Sequence, residues 1–112
     1  MPPAPSTDDY VAIFTALSEP TRLQMLQLID ATEEMPCTQL IEALGLAKST
    51  ISYHIKILSH AKLIRIRKQG RNYFYTSRRE MLDQALPGVR ANLIGRGKGA
   101  KPRSAPSALR VS

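Results

Sequence analysis

The stretch Ala47–Thr76, A-K-S-T-I-S-Y-H-I-K-I-L-S-H-A-K-L-I-R-I-R-K-Q-G-R-N-Y-F-Y-T, decides the fold. Ile51, Ile55 and Leu58 fall at i, i+4 and i+7, with Ile57 widening the stripe, so the first half is an amphipathic helix. Its start is polar and rich in hydroxyls: Lys48, Ser49, Thr50, Ser52. After His60 the period changes. Ile64 and Ile66 alternate with Arg65 and Arg67, which is strand spacing. Tyr73, Phe74 and Tyr75 are strand formers. Between them lies Lys68-Gln69-Gly70-Arg71, where Gly70 is free to take a positive φ, so the second half is a β-hairpin. From Lys48 to Arg79 there are nine Lys or Arg and no Asp or Glu. A helix and hairpin of one sign suit a polyanion.

Working outward, Leu40, Ile41 and Leu44 give an apolar face to a helix that begins at Cys37 or Thr38, and Gly45 stops it. Only Leu46 and Ala47 separate it from the next helix, which is helix-turn-helix spacing. Further upstream, Ser18 is expected to cap a helix with Pro20 in its first turn, carried by Leu23, Leu26 and Ile29 to about Ala31. Thr32–Pro36 reads as a polar break. A first helix starts at Asp8, with Tyr10, Ile13, Phe14 and Leu17 along one side. Downstream, Ser77-x-x-Glu80 is a capping-box pattern that opens a last helix bearing Met81, Leu82, Ala85 and Leu86. Pro87-Gly88 ends or kinks it, and Val89, Leu93 and Ile94 prolong the stripe. The expected organisation is a loose arm over 1–7, one domain over 8–94, and a disordered basic tail over 95–112.

The chain has 112 residues, and its net charge of +7 is unevenly spread. Residues 1–47 sum to −6 with Arg22 as their one cation, residues 48–79 to +9, residues 80–94 to −1 and residues 95–112 to +5. A core of roughly 80 residues is marginal alone and gains from dimerisation. The single cysteine, Cys37, rules out an internal disulfide and fits a reducing cytoplasm. No apolar run is long enough for a membrane span, and Met1–Asp9 lacks a signal-peptide pattern. No Ser/His/Asp set, metal cluster or phosphate loop points to an enzyme.

Three runs together resemble the ArsR/SmtB family: F-T-A-L-S-E-P-T-R-L-Q-M-L (Phe14–Leu26), L-I-E-A-L-G-L-A-K-S-T-I-S-Y-H-I-K-I-L (Leu40–Leu58) and R-K-Q-G-R-N-Y-F-Y (Arg67–Tyr75). They occur in the family's order and spacing, over roughly residues 10–90. The resemblance implies a mainly α fold with a small β-hairpin, a winged helix-turn-helix of five helices plus a two-stranded wing. It implies a dimeric regulator that binds double-stranded operator DNA, usually a repressor released by an inducer. The expected dimer interface joins the first and last helices through Tyr10, Ile13, Phe14, Leu17, Leu82 and Leu86. A two-fold dimer should read an inverted repeat.

The chain departs from the family's sensors. Where arsenic, cadmium and lead sensors carry Cys-x-Cys, it has Pro36 and Thr38, with Cys37 between them. Where zinc, cobalt and nickel sensors use Asp and His on the last helix, it has Glu80 and Asp83 and no His. The redox branch needs two cysteines. No metal or other cofactor is therefore expected, and the effector is a small molecule, a partner protein or a metal on unusual ligands. Ala47 replaces a common capping Ser, and Lys62 a common Gly.

Lys48, Ser49, Thr50 and Ser52 suit phosphates and base edges at a helix N-terminus, and ordinary capping is the alternative. Tyr53 and Lys56 lie off the apolar stripe and should also face DNA. Arg67, Lys68, Gln69 and Arg71 form a wing along the sugar-phosphate backbone. The competing reading is an interaction module whose basic face meets an acidic protein. His54 either reaches a phosphate or sits half-buried against the body. Cys37 is either a reactive thiol at a helix start or a small buried residue.

Overall fold

A computed structural model describes residues 4–95. Helix α1 spans Thr7–Leu17. Ser6 caps it: its Oγ accepts from the Asp9 N–H (3.1 Å), and the Asp9 carboxylate accepts from the Ser6 N–H (2.9 Å). This reciprocal box satisfies two otherwise orphaned donors. The ordered helix therefore begins slightly before Asp8, and Ser6 and Thr7 are not part of an arm.

Helix α2 covers Pro20–Asp30 and is capped by Glu19, not Ser18. The ring of Pro20 excludes the helical region for the residue before it, which drives Glu19 to φ −111°, ψ 126°. That is the geometry of an N-cap, and the Glu19 carboxylate accepts from the Arg22 N–H at 3.0 Å. Ser18 closes α1 instead, its hydroxyl donating to the Thr15 carbonyl at 2.9 Å.

The expected polar break holds a short strand β1, Met35–Pro36. Helix α3 follows over Cys37–Leu44, ended by Gly45 at φ 66°. Helix α4 runs from Lys48 to His60, and Ala47 gives it no side-chain cap. Its far end is a Schellman turn: Lys62 N–H donates to Ser59 O (2.9 Å) and Leu63 N–H to Leu58 O (3.0 Å). The turn needs a left-handed residue, and Lys62 supplies it at φ 63° despite its side chain.

Strands β2 (Ile64–Gln69) and β3 (Asn72–Ser77) form the hairpin, with Gln69 opposite Asn72. The two-residue turn carries Gly70 at φ 64°. β3 also pairs with β1, Met35 opposite Tyr75 and Pro36 opposite Phe74. The wing therefore roots in a three-stranded antiparallel sheet, order β1-β3-β2. Pro36 is tolerated because β1 is an edge.

Helix α5, Arg79–Ala85, starts without a capping box. Ser77 is drawn into the sheet opposite Ile64, and the Arg78 N–H donates to Leu63 O at 2.9 Å. The strand thus consumes the residues that would have capped the helix. A π-helical segment, Arg90–Ile94, completes the described chain and buries Ile94. One core gathers Ile13, Met25, Leu26, Ile29, Leu40, Ile51, Leu58, Leu63, Leu82 and Ile94, all fully buried. The expected tail from Gly95 onward lies, beyond that residue, outside the described region.

Candidate nucleic-acid interface

Lys48, Ser49, Thr50, Ser52, Tyr53 and Lys56 on α4, and Arg67, Lys68, Gln69 and Arg71 on the hairpin, are all exposed. The buried stripe of Ile51, Ile55 and Leu58 turns the opposite side of α4 into the core, which presents this face outward. Tyr53 is 59% exposed and meets the His54 ring edge-on at 5.2 Å.

The cations are not equivalent. Arg67 donates from Nε (2.9 Å) and Nη2 (2.8 Å) to both carboxylate oxygens of Glu34, and from Nη1 to Gln69 Oε1 (2.7 Å). It also lies 4.4 Å over the Phe74 ring. The hydrogen bond from Arg67 holds the Glu34 carboxyl below its ordinary range. A phosphate can recruit Arg67 only by competing with Glu34. Arg65 is likewise held by Glu80 at 2.8 Å. Lys48, Lys56 and Arg71 have no ion-pair partner among the described residues, and Lys68 only caps the Tyr73 ring at 5.7 Å. These four, with the hydroxyls of Ser49, Thr50 and Ser52, leave donors open to an anionic surface.

His54 does not reach outward. Arg22, buried at the start of α2, donates from Nη1 to His54 Nδ1 at 3.1 Å. The same guanidinium donates to the carbonyls of Ala16 (3.0 Å) and Thr15 (3.3 Å) at the end of α1. One arginine thus closes α1 and fixes the rotation of α4. Sequence reasoning registered Arg22 only as a charge. Its isolation in an acidic segment was the available signal; its partner lies 32 positions away.

A second buried tie holds the other end of α2. Asp30 takes Arg79 Nε at 3.2 Å and Arg90 Nη1 at 3.7 Å, and Arg90 also reaches Asp83 at 3.2 Å. This network locks α5 and the π-helical segment onto the helix-turn-helix. Burial corrects two interface expectations. Ile13 and Leu82 are wholly inside the chain's own core, packed among its other apolar side chains, and have no surface for a partner. Tyr10, Leu17 and Leu86 are half-buried, and Phe14 is 55% exposed beside Val11 at 56%. Tyr10 and Phe14 stack with centroids 6.2 Å apart. Val11 lies one step off the apolar stripe of α1, so helical spacing alone does not point to it.

Cys37 is buried at the start of α3. Burial, and then a hydrogen bond with Cys37, push the Tyr75 phenol above its ordinary range. Among the described residues, no three His, Cys, Asp or Glu side chains gather closely enough to hold a metal ion. Among them, too, no helix is long and apolar enough to cross a membrane.

Comparison with known proteins agrees with this geometry. A family model described as a helix-turn-helix domain matches residues 17–67. An HTH-type transcriptional regulator of Methanocaldococcus jannaschii is 38% identical over 63 residues, spanning 56% of this chain and 71% of that one. The arsenical resistance operon repressor of Staphylococcus xylosus is 35% identical over 78 residues, spanning 70% and 74%. The crystal structure of an ArsR family transcriptional regulator superposes with a TM-score of 0.65 at 26% identity, covering 73% of this chain and 84% of that one. The chain belongs to the ArsR/SmtB family of winged helix-turn-helix transcriptional regulators.

Proposed function

We propose that this DNA-binding regulator is a repressor that grips an inverted-repeat operator as a homodimer. The observation that carries the reading is a set of four exposed cations, Lys48, Lys56, Lys68 and Arg71, without ion-pair partners among the described residues, beside the exposed hydroxyls at the start of α4. Helix α4 enters the major groove and the wing follows the adjacent backbone. The exposed Tyr10–Val11–Phe14 patch of α1, with Leu17 and Leu86 at its margin, supports a two-fold contact. Such a dimer spaces its two recognition helices by about 34 Å or a multiple of it.

Four cations on each of two chains neutralise on the order of 8 phosphates, so the log–log salt slope of DNA binding should be about −7. Shift assays on selected-site DNA across a salt series test this. A slope near half that value means a monomer. Affinity insensitive to salt removes the DNA reading and favours an acidic protein partner.

Regulation proceeds without the family's usual metal sites, since Pro36 and Thr38 offer no thiolate. Isothermal titration with zinc, nickel and arsenite should show no stoichiometric binding. Tight binding that weakens DNA affinity would overturn this part of the proposal.

A further inference from the structure

A cleft of about 610 Å³ runs between one side of α4 and the sheet. Its base is apolar: Ile66 and Tyr73, over Ile55 and Tyr75. Ile66 is a large aliphatic side chain in mid-strand, yet it stands 42% exposed there. The rim is cationic and polar, with Lys48, Lys56 and His60 beside the hydroxyls of Ser52 and Ser59, and no Asp or Glu lines it. Lys48, Lys56 and His60 have no ion-pair partner among the described residues. The volume falls within the range of small-molecule sites.

A phosphate backbone makes use of the rim but not of the base. It asks for donors, and Ile66 and the ring faces supply none. An apolar base under a cationic rim matches a small anion with an aromatic or branched-alkyl body: the body covers Ile66 and Tyr73, and the anionic group lies between the lysines. We propose that this cleft is the effector site, and that its occupant is such an organic anion, a carboxylate or sulfonate. Lys48, Ser52 and Lys56 belong both to the cleft and to the DNA-facing set. Ligand and operator therefore exclude each other directly, and release needs no change of fold. The proposal rests on the DNA-binding reading only for this last step.

The test uses 8-anilinonaphthalene-1-sulfonate as the anionic probe and N-phenyl-1-naphthylamine as its uncharged counterpart, on the folded 112-residue chain. The sulfonate should bind saturably at one site per chain, at least about tenfold tighter than the uncharged amine, because only it meets the lysines. Two variants at Ile66 probe the base: Ile66→Gln removes apolar surface and Ile66→Trp fills the space. Each should weaken the probe at least about tenfold while thermal melting and DNA affinity stay near the parent values. Random-sequence duplex at low salt should displace the probe competitively. Probe binding unchanged in both variants, or absent, overturns the site. Probe held in the cleft and not displaced by bound DNA overturns direct competition. Probe held in the cleft by a chain with no DNA affinity leaves the site standing and overturns the proposed function instead.

Discussion

Two groups of cations share this small fold and do opposite things. Around Asp30, Asp83 and Glu80, the arginines Arg79, Arg90, Arg65 and Arg78 are all engaged by carboxylates. On the outer face of α4 and at the wing tip, Lys48, Lys56, Lys68 and Arg71 have no carboxylate partner among the described residues. The division follows side-chain chemistry. Among the described residues every arginine except Arg71 holds a carboxylate or carbonyl, and no lysine forms an ion pair. A planar fork of donors suits fixed internal partners, whereas a hydrated ammonium on a flexible stem suits a mobile ion atmosphere. The run of positive charge from Lys48 to Arg79 is thus part scaffold and part open surface.

Emptying the contact side should have the largest effect. Lys48→Ala with Lys56→Ala should weaken operator binding by roughly 100-fold or more and flatten the salt slope by about 4, if four phosphate contacts leave a dimer. Melting temperature should hardly move, since neither lysine has an ion-pair partner among the described residues. A large loss of stability would erase the distinction between the two groups.

The scaffold side is tested at Arg22. Arg22→Lys keeps the charge but cannot span the Ala16 and Thr15 carbonyls and His54 at once. Urea unfolding should show a loss of about 2 kcal/mol, the scale of buried acceptors left without donors. DNA affinity should fall by a smaller factor, through a loosened α4. Full stability in this variant would mean that the arginine fork is not what matters there.

A smaller gain should come from Lys62→Gly. The left-handed backbone at Lys62 costs about 1 kcal/mol with a side chain, offset in part by the freedom glycine adds to the unfolded chain. Denaturant midpoints should show a net stabilisation of about 0.5 kcal/mol with unchanged DNA binding. A destabilised variant would show that the lysine makes up its strain elsewhere.

The smallest effect concerns Glu34. Its carboxyl is held below the ordinary range, chiefly by the hydrogen bond from Arg67. A depressed value means that the pair's contribution is present above the unfolded carboxylate range and fades as pH falls through the folded value. Both partners are solvent-facing, so the shift rather than the stability is the useful readout. The Glu34 side-chain resonance should titrate at lower pH in the parent than in Arg67→Ala. Equal midpoints would mean that the clamp does not persist in solution, and Arg67 would then join the contact group.

Most helices could be read from periodicity, because α3 and α4 carry regular apolar stripes and Gly45 marks the stop between them. The hairpin was legible from the switch to alternating Ile and Arg around Gly70. What escaped depended on distant pairing. β1 is two residues long, one of them proline, and exists only because β3 offers an edge. The Ser77–Glu80 box failed because the sheet claimed Ser77 and Arg65 claimed Glu80. Ser18 lost the cap to Glu19 through a purely local constraint from Pro20, which the sequence did contain. Of the site, the outward face of α4 was readable, but the free and clamped cations were not, since Glu34 lies 33 positions from Arg67. The same limit hid the destination of Ile13 and Leu82: a stripe tells which side is apolar, not whether the chain itself covers it.

The sheet has a further consequence for how such a protein diversifies. β1 braces only Phe74 and Tyr75, so beyond them the hairpin consists of β2 and β3 alone. At its tip the space around Gly70 is open, so that only the backbone angle of φ 64° holds the glycine there. Residues inserted between Gln69 and Asn72 would disturb neither the core nor the rooted part of the sheet. Wing length and composition can therefore drift between lineages while the helix-turn-helix stays constant, which lets the footprint on DNA evolve separately from the stability of the fold.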